Sequence, residues 1–266
     1  MDYEFDLAGG TSEFYIDADY YDHEFKSRTA DVQWYTQHYL ETEGPALELA
    51  VGTGRVALRA VRKGAEIYGI DLSPTMLARA RTRRDALPKS KRSKLHLIEG
   101  DMRTFSLDRK FELITCPFNA FQHLYTREDI EACLRCVREH LAPGGLFLFD
   151  VLLPDVEYLS RSPYKRFPGV EFRHPTHGTT YAYSEQTAYN PVTQVNQMWL
   201  HYDRVGPGAG PETFCIQLSH RCFFPQELQA LLAYNGFEVL ALQGDFEDGR
   251  LRPDSESMVV MATHGD

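Results

Sequence analysis

The stretch from Pro45 to Arg83, PALELAVGTGRVALRAVRKGAEIYGIDLSPTMLARARTR, restricts what this chain can fold into more than any other part of it. A short apolar run, Ala46 to Val51, breaks at a glycine-rich turn, Gly52-Thr53-Gly54, and a helix-like segment follows to about Lys63. A second strand-like run, Ala65 to Ile70, ends in Asp71, and an amphipathic helix starts at Pro74. This order predicts a βαβα unit, the opening half of a parallel α/β nucleotide-binding sheet. The chemistry follows from the residue types. Glycines without Cβ let the backbone approach a flat ligand at the carboxyl end of the first strand. An aspartate ending the second strand can accept both hydrogen bonds of a ribose diol.

Two ligand classes use this geometry. Gly52-Thr53-Gly54-Arg55-Val56-Ala57 fits the G-x-G-x-x-G/A dinucleotide fingerprint, and Asp71 follows Gly54 by 17 residues, near the ~20 expected for a nicotinamide dinucleotide. The other ligand is S-adenosylmethionine, which has no phosphate but carries a sulfonium and an amino-acid tail. Glu48-Leu49-Ala50-Val51-Gly52-Thr53-Gly54 resembles the first motif of the class I S-adenosylmethionine-dependent methyltransferases, in which an acidic residue precedes the glycine turn. Ile70-Asp71-Leu72-Ser73-Pro74-Thr75-Met76-Leu77 resembles their second motif, with the ribose-binding acid and a helix start. The resemblance implies S-adenosylmethionine as cofactor. It also implies a Rossmann-like, doubly wound, seven-stranded, mostly parallel sheet.

Further residues are assigned by the same resemblance, most closely to glycine N-methyltransferase-like enzymes acting on small molecules. Ser27-Arg28-Thr29-Ala30-Asp31 matches a stretch whose arginine grips the cofactor carboxylate, a role implied here for Arg28 and chemically apt for a planar fork. Tyr21 is implied to border the transferred methyl, with Tyr20 beside it on the cofactor. After a third strand, Leu95 to Glu99, Asp101 is implied to accept from the adenine amino group and Met102 to cover the ring face. The fourth strand, Phe111 to Cys116, runs out at Pro117-Phe118-Asn119-Ala120-Phe121-Gln122-His123-Leu124, which the resemblance turns toward the reacting methyl. The implied cofactor set is therefore Tyr20, Arg28, Glu48, Ala50, Gly52, Gly54, Asp71, Leu72, Met76, Asp101, Met102, Pro117 and His123. Tyr21, Asn119, His123 and His220 are the catalytic candidates, and no metal site is expected. One departure bears on substrate: the arginine that clamps glycine's carboxylate falls at Leu152.

Composition sets wider limits. A net charge of −10 argues against a nucleic-acid substrate, because phosphate contacts dominate such binding. The basic stretch from Arg79 to Lys94 falls on a helix and its following loop and reads as a solvated face. No apolar run approaches the ~20 residues that span a bilayer, and the N-terminus is too acidic for a signal peptide. Five scattered cysteines suit a reducing compartment, so the expected location is the cytoplasm. Cys133 and Cys136 form a lone C-x-x-C that reads as core packing.

Taken in order, residues 1–13 show no periodicity and read as frayed. Two helical pieces follow between Phe14 and Leu40, so residues 1–40 are expected to form a helical segment closing over the cofactor. Residues 41–153 and 225–266 form the cofactor domain, with a helix from Arg127 to Leu141, an apolar fifth strand Leu146 to Val151, and later elements at Pro225–Tyr234, Phe237–Leu242 and Ser257–Thr263. After a possible short helix following Pro154, residues from about 168 to 224 show alternating runs between turn residues, so residues 154–224 predict an inserted antiparallel β lid, to which Tyr181, Tyr183, Tyr189 and Trp199 add an aromatic wall. The expected function is transfer of a methyl group in line to a nitrogen or oxygen of a small molecule. Two rivals are an NAD-binding oxidoreductase and a non-catalytic S-adenosylmethionine-binding protein; the sequence leaves open the acceptor, the N or O choice and homo-oligomerisation.

Overall fold

Helical and alternating segments sort into two units in the computed structural model, which describes residues 5–264. The chain runs α1 (Leu7–Ser12), α2 (Ala18–Glu24), α3 (Ala30–Glu41), β1 (Ala46–Leu49), α4 (Ala57–Lys63), β2 (Ile67–Asp71), α5 (Pro74–Asp85), α6 (Lys89–Arg92) and β3 (Leu95–Glu99). It continues through β4 (Phe111–Cys116), α7 (Arg127–His140), β5 (Leu141–Leu152), α8 (Val156–Leu159), β6 (Phe167–Arg173) and β7 (Thr180–Asn190). β8 (Val195–Arg204), β9 (Thr213–Arg221), α9 (Pro225–Tyr234), β10 (Phe237–Gln243) and β11 (Ser257–His264) complete it.

The larger unit, residues 28–153 and 223–264, holds a seven-stranded sheet in the order β10-β11-β5-β4-β1-β2-β3. Strands β1 to β5 are parallel, and β11 at one side pairs antiparallel with both β5 and the edge strand β10. The chain moves outward from β1 to β3 and then returns to β4 on the other flank of β1. That reversal opens a crevice at the carboxyl ends of β1 and β4, where such sheets bind ligands. Strand β5 is apolar on both faces up to Asp150, as a central parallel strand should be. Phe147 and Phe149 stack at 4.9 Å, and Phe121 meets Phe149 at 4.6 Å. Residues 142–145 bulge out of β5 between its pairings with Phe111 and Leu113.

Helix α3 is tied to this sheet by two tyrosines one turn apart. Tyr39 donates to Glu48 Oε2 at 2.7 Å and also meets Thr115 Oγ1 on β4. Tyr35 donates to Asp150 Oδ1 at 2.7 Å. All four of Tyr35, Tyr39, Glu48 and Asp150 are buried. Burial is the main influence on both acids: it raises Glu48 to a pKa of about 7 and Asp150 to about 6, against the pull of their hydrogen bonds.

The smaller unit, residues 5–27 and Pro154–Cys222, is a four-stranded antiparallel sheet in the order β6-β7-β8-β9 with α1 and α2 packed on it. Four expectations are corrected here. Residues 7–12 form a helix although LAGGTS has no helical period, because tertiary packing overrides propensity: Gly10 lacks a Cβ and so lies directly on the Ser219 side chain of β9. Glu13 then accepts the edge-strand amide of Gln217 at 2.7 Å. The first segment also divides at Ser27 and not at Leu40, since α3 packs on the large sheet through Tyr35 and Tyr39. The loop expected after the basic helix, up to Lys94, contains the short helix α6. In β7, Tyr181, Tyr183 and Tyr189 share one face, as the alternation implies. Trp199 is opposite Gln186 in register and therefore lies on the other face, so it does not join that tyrosine wall.

The buried acids make stability depend on pH. The folded pKa of Glu48 exceeds its ordinary 4.5, so its contribution is fully present below that value and is lost as pH rises toward about 7. Histidines whose pKa falls on folding, such as His123, give the opposite slope, so the informative quantity is a difference. Glu48→Gln, which can still accept from Tyr39, is expected to gain on the wild type by on the order of 2–3 kcal/mol between pH 4.5 and 7. Thermal unfolding of both proteins across that range checks it; a constant difference would show that Glu48 does not titrate there.

Candidate active site

At the carboxyl end of β1 the backbone turns through left-handed conformations at Ala50 (φ 54°), Gly52 (φ 55°) and Gly54 (φ 76°). A Cβ on Gly54 would sit 3.0 Å from the Leu58 side chain, so glycine here serves both the turn and the close packing of α4. Asp71, at the end of β2, fastens the turn: its Oδ2 accepts from Gly52 N at 2.7 Å and its Oδ1 from Ser73 N at 2.8 Å. Burial raises the Asp71 pKa, and the two amides oppose that rise. Ser73 caps α5 by accepting from Met76 N, Met76 is buried behind the turn, and Leu72 is exposed beside it.

At the end of β3, Asp101 is clamped by Arg103, which donates from Nε and Nη2 (3.0 and 2.6 Å) to Oδ2 and from its backbone N to Oδ1 at 2.8 Å. Burial would raise the Asp101 pKa, but the Arg103 contacts hold it below the ordinary value. Arg103 also reaches Asp129, the capping residue of α7, at 2.7 Å. Met102 packs against the apolar core beside Ile98 and Leu107.

Beyond β4, Pro117 is buried and Phe118 and Asn119 both adopt φ 60°. Asp150 holds them, accepting from Phe118 N at 2.8 Å and Asn119 N at 3.2 Å. The Asn119 Oδ1 is buried without a hydrogen-bond partner. A turn of 3-10 helix, Ala120–His123, follows. In it Gln122 accepts from Leu152 N at 3.0 Å, and His123 Nδ1 lies 3.2 Å from the Tyr125 hydroxyl. The His123 ring is partly exposed yet densely surrounded, and burial pushes its pKa down to about 4.

Arg55 directly follows the glycine turn, and Arg83 donates to the Thr53 carbonyl within it at 3.2 Å. Arg55 is paired with Asp31, donates to the Arg28 carbonyl at 3.1 Å and stacks 4.3 Å above the Phe118 ring. The Arg28 side chain is exposed and has no partner among the described residues.

The larger unit thus gathers Arg28, Glu48, Ala50, Gly52, Gly54, Asp71, Leu72, Met76, Asp101, Met102, Pro117, Asn119 and His123. Tyr20, Tyr21 and His220 belong to the smaller unit. There the Tyr20 hydroxyl bonds that of Tyr202 at 2.9 Å while its ring stacks on His174, and Tyr21 is buried against Phe14 and Phe25. His220 faces Asn196 across the β8–β9 ladder. Sequence reasoning missed Asp150, Tyr35 and Arg55. The signal for Asp150 was present, as one charge inside an otherwise apolar strand, LFLFDV.

Comparison with known proteins agrees with this geometry. Residues 46–145 match the methyltransferase domain family. A putative methyltransferase of Bacillus subtilis, YqeM, is 26% identical over 233 residues, covering 86% of this chain and 89% of that one. The dTDP-3-amino-3,4,6-trideoxy-α-D-glucopyranose N,N-dimethyltransferase of Streptomyces venezuelae is 36% identical over 104 residues, which is 39% of this chain and 40% of its own length. The solved CcbJ methyltransferase of Streptomyces caelestis shares the fold, with a TM-score of 0.75 over 90% of each chain at 23% identity. Among the described residues no helix is long and apolar enough to cross a membrane. Residues 46–145 of this chain thus carry a methyltransferase domain, seated in a sheet of this topology.

Proposed function

We propose that the chain transfers the methyl of S-adenosylmethionine to an amine nitrogen of a small polar molecule. The observation that carries the choice of nitrogen is the similarity of the cofactor half to an amino-sugar N,N-dimethyltransferase, 36% identical over 104 residues. Burial lowers the pKa of His123 beyond the end of β4, which makes it a weaker base than an ordinary imidazole for a hydroxyl. An amine needs only to arrive unprotonated.

The residues present fit the cofactor. The glycine turn offers an open backbone surface, Asp71 has lone pairs left for ribose hydroxyls, and Asn119 Oδ1 is an orphaned acceptor. Met102 suits an adenine face, and Asp101, already charge-compensated by Arg103, keeps acceptor sites for an exocyclic amine. Arg28 is the guanidinium left for a carboxylate, because Arg55 is committed to Asp31. When bound, the cofactor supplies a methyl already activated by its sulfonium. The protein's task is then to hold the acceptor nitrogen in line and exclude water, an arrangement worth up to ~7–11 kcal/mol.

Leu152 supports an acceptor other than glycine. Its side chain brings no donor to a carboxylate, and its amide is taken by Gln122. A desolvated carboxylate left unpaired costs several kcal/mol.

Three outcomes test this reading. Incubation with isotopically labelled S-adenosylmethionine should label amino sugars and leave glycine and phenols unlabelled; robust methylation of glycine would overturn the acceptor assignment. With an amine acceptor, log kcat/KM should rise with pH along the acceptor's own pKa, and His123→Asn should keep that shape. A limb near pH 6–7 that vanishes in His123→Asn would instead mark a histidine base and an oxygen acceptor. In calorimetry, Asp71→Asn should bind S-adenosylhomocysteine roughly tenfold to hundredfold more weakly, the range for hydrogen bonds to a charged group. Arg28→Lys should weaken it too, since a point charge loses the bidentate geometry; unchanged affinity in either folded variant removes that residue from the site.

A further inference from the structure

The carboxyl end of β4 carries two consecutive non-glycine residues in the left-handed region, Phe118 and Asn119, each at φ 60°. L-residues visit this region singly and rarely, and such pairs persist only where their surroundings enforce them. Here the enforcing group is one buried carboxylate on the neighbouring strand. Asp150 Oδ1 accepts from Phe118 N at 2.8 Å and from Tyr35 at 2.7 Å, and Oδ2 accepts from Asn119 N at 3.2 Å. The loop so fastened sits at the β1–β4 reversal of the sheet, where Arg55 at the start of α4 stacks on Phe118. It also leaves Asn119 Oδ1 buried and without a partner, which is costly for a polar atom unless something else supplies the donor.

We propose that Asp150 is a positioning residue: through the Phe118 and Asn119 amides it holds Asn119 Oδ1 where it accepts an N–H of a bound amine. That amine is either the α-ammonium of the cofactor or the amine of the methyl acceptor. The proposal rests on the cofactor assignment above and adds Asp150, which no motif assigns. An asparagine side chain is suited to this place, because Asn tolerates the left-handed region and presents a neutral acceptor that does not trap a cation as a carboxylate would.

The test is a double-mutant cycle read by calorimetry on the full chain. Asn119→Gly removes the acceptor without backbone strain, Asn119→Asp restores one, and Asp150→Asn cannot accept from both amides. If the ammonium is the donor, Asn119→Gly should weaken S-adenosylhomocysteine at least tenfold but leave 5′-methylthioadenosine, which has no amino-acid tail, unchanged. If the acceptor amine is the donor, both affinities stay and the acceptor KM rises at least tenfold with kcat little changed. In either case Asn119→Asp should recover most of the loss. Asp150→Asn should reproduce the same loss and add nothing in the Asn119→Gly background. Should Asp150→Asn not fold, Tyr35→Phe, which removes the donor fixing Oδ1, is carried through the same cycle with the same expectation. Additive losses, or an Asn119→Gly variant that matches the wild type in all three measurements, would overturn the proposal alone. Wild-type protein that binds no S-adenosylhomocysteine would overturn the cofactor reading and this proposal with it.

Discussion

Two phenol–carboxylate hydrogen bonds beneath α3 set the frame for everything at the top of the large sheet. A carboxylate taken out of water costs several kcal/mol unless donors reach it. Glu48 and Asp150 are both fully enclosed, and Tyr39 and Tyr35 are the side chains that reach them. Their spacing of four residues equals one helical turn, so a single helix face serves the ends of β1 and β5 together. Shifting α3 by one residue would strand both acids. The glycine turn, the 117–119 loop and the entry of α4 take their positions from strands that this pairing holds in register.

The same acids give the crevice its electrostatic character. Glu48, Asp71, Asp101 and Asp150 all stand at carboxyl ends of parallel strands, and Arg103 compensates only Asp101. The G-x-G-x-x-A pattern by itself does not separate a dinucleotide from S-adenosylmethionine; the methyltransferase domain matched over residues 46–145 does.

Much of the larger unit was readable because its signals are local. The apolar run before Gly52, the acid ending β2 and the alternation of β7 each follow from backbone sterics or burial period. What escaped reading depends on contacts distant in sequence. Tyr35 and Asp150 are 115 residues apart, so nothing in either segment names the other. Helix α1 exists because Gly10 lies on Ser219, and a two-glycine hexapeptide gives no local hint of it. Trp199 was placed with the tyrosines by its chemistry alone, whereas the pairing register puts it on the opposite face. Arg28 and Arg55 differ in the same way: the motif points to Arg28, and only the fold shows that Asp31 has already claimed Arg55.

The smaller unit is discontinuous in the chain, with α1 and α2 at its start and its four strands more than a hundred residues later. On a ribosome, Glu13 and Gly10 therefore emerge long before Gln217 and Ser219, the groups they fit. At about 5–20 residues per second the nascent helices wait on the order of ten seconds or more for their partner strand. During that interval Tyr20 lacks Phe172 and Tyr202, the strand residues that bury it in the finished unit.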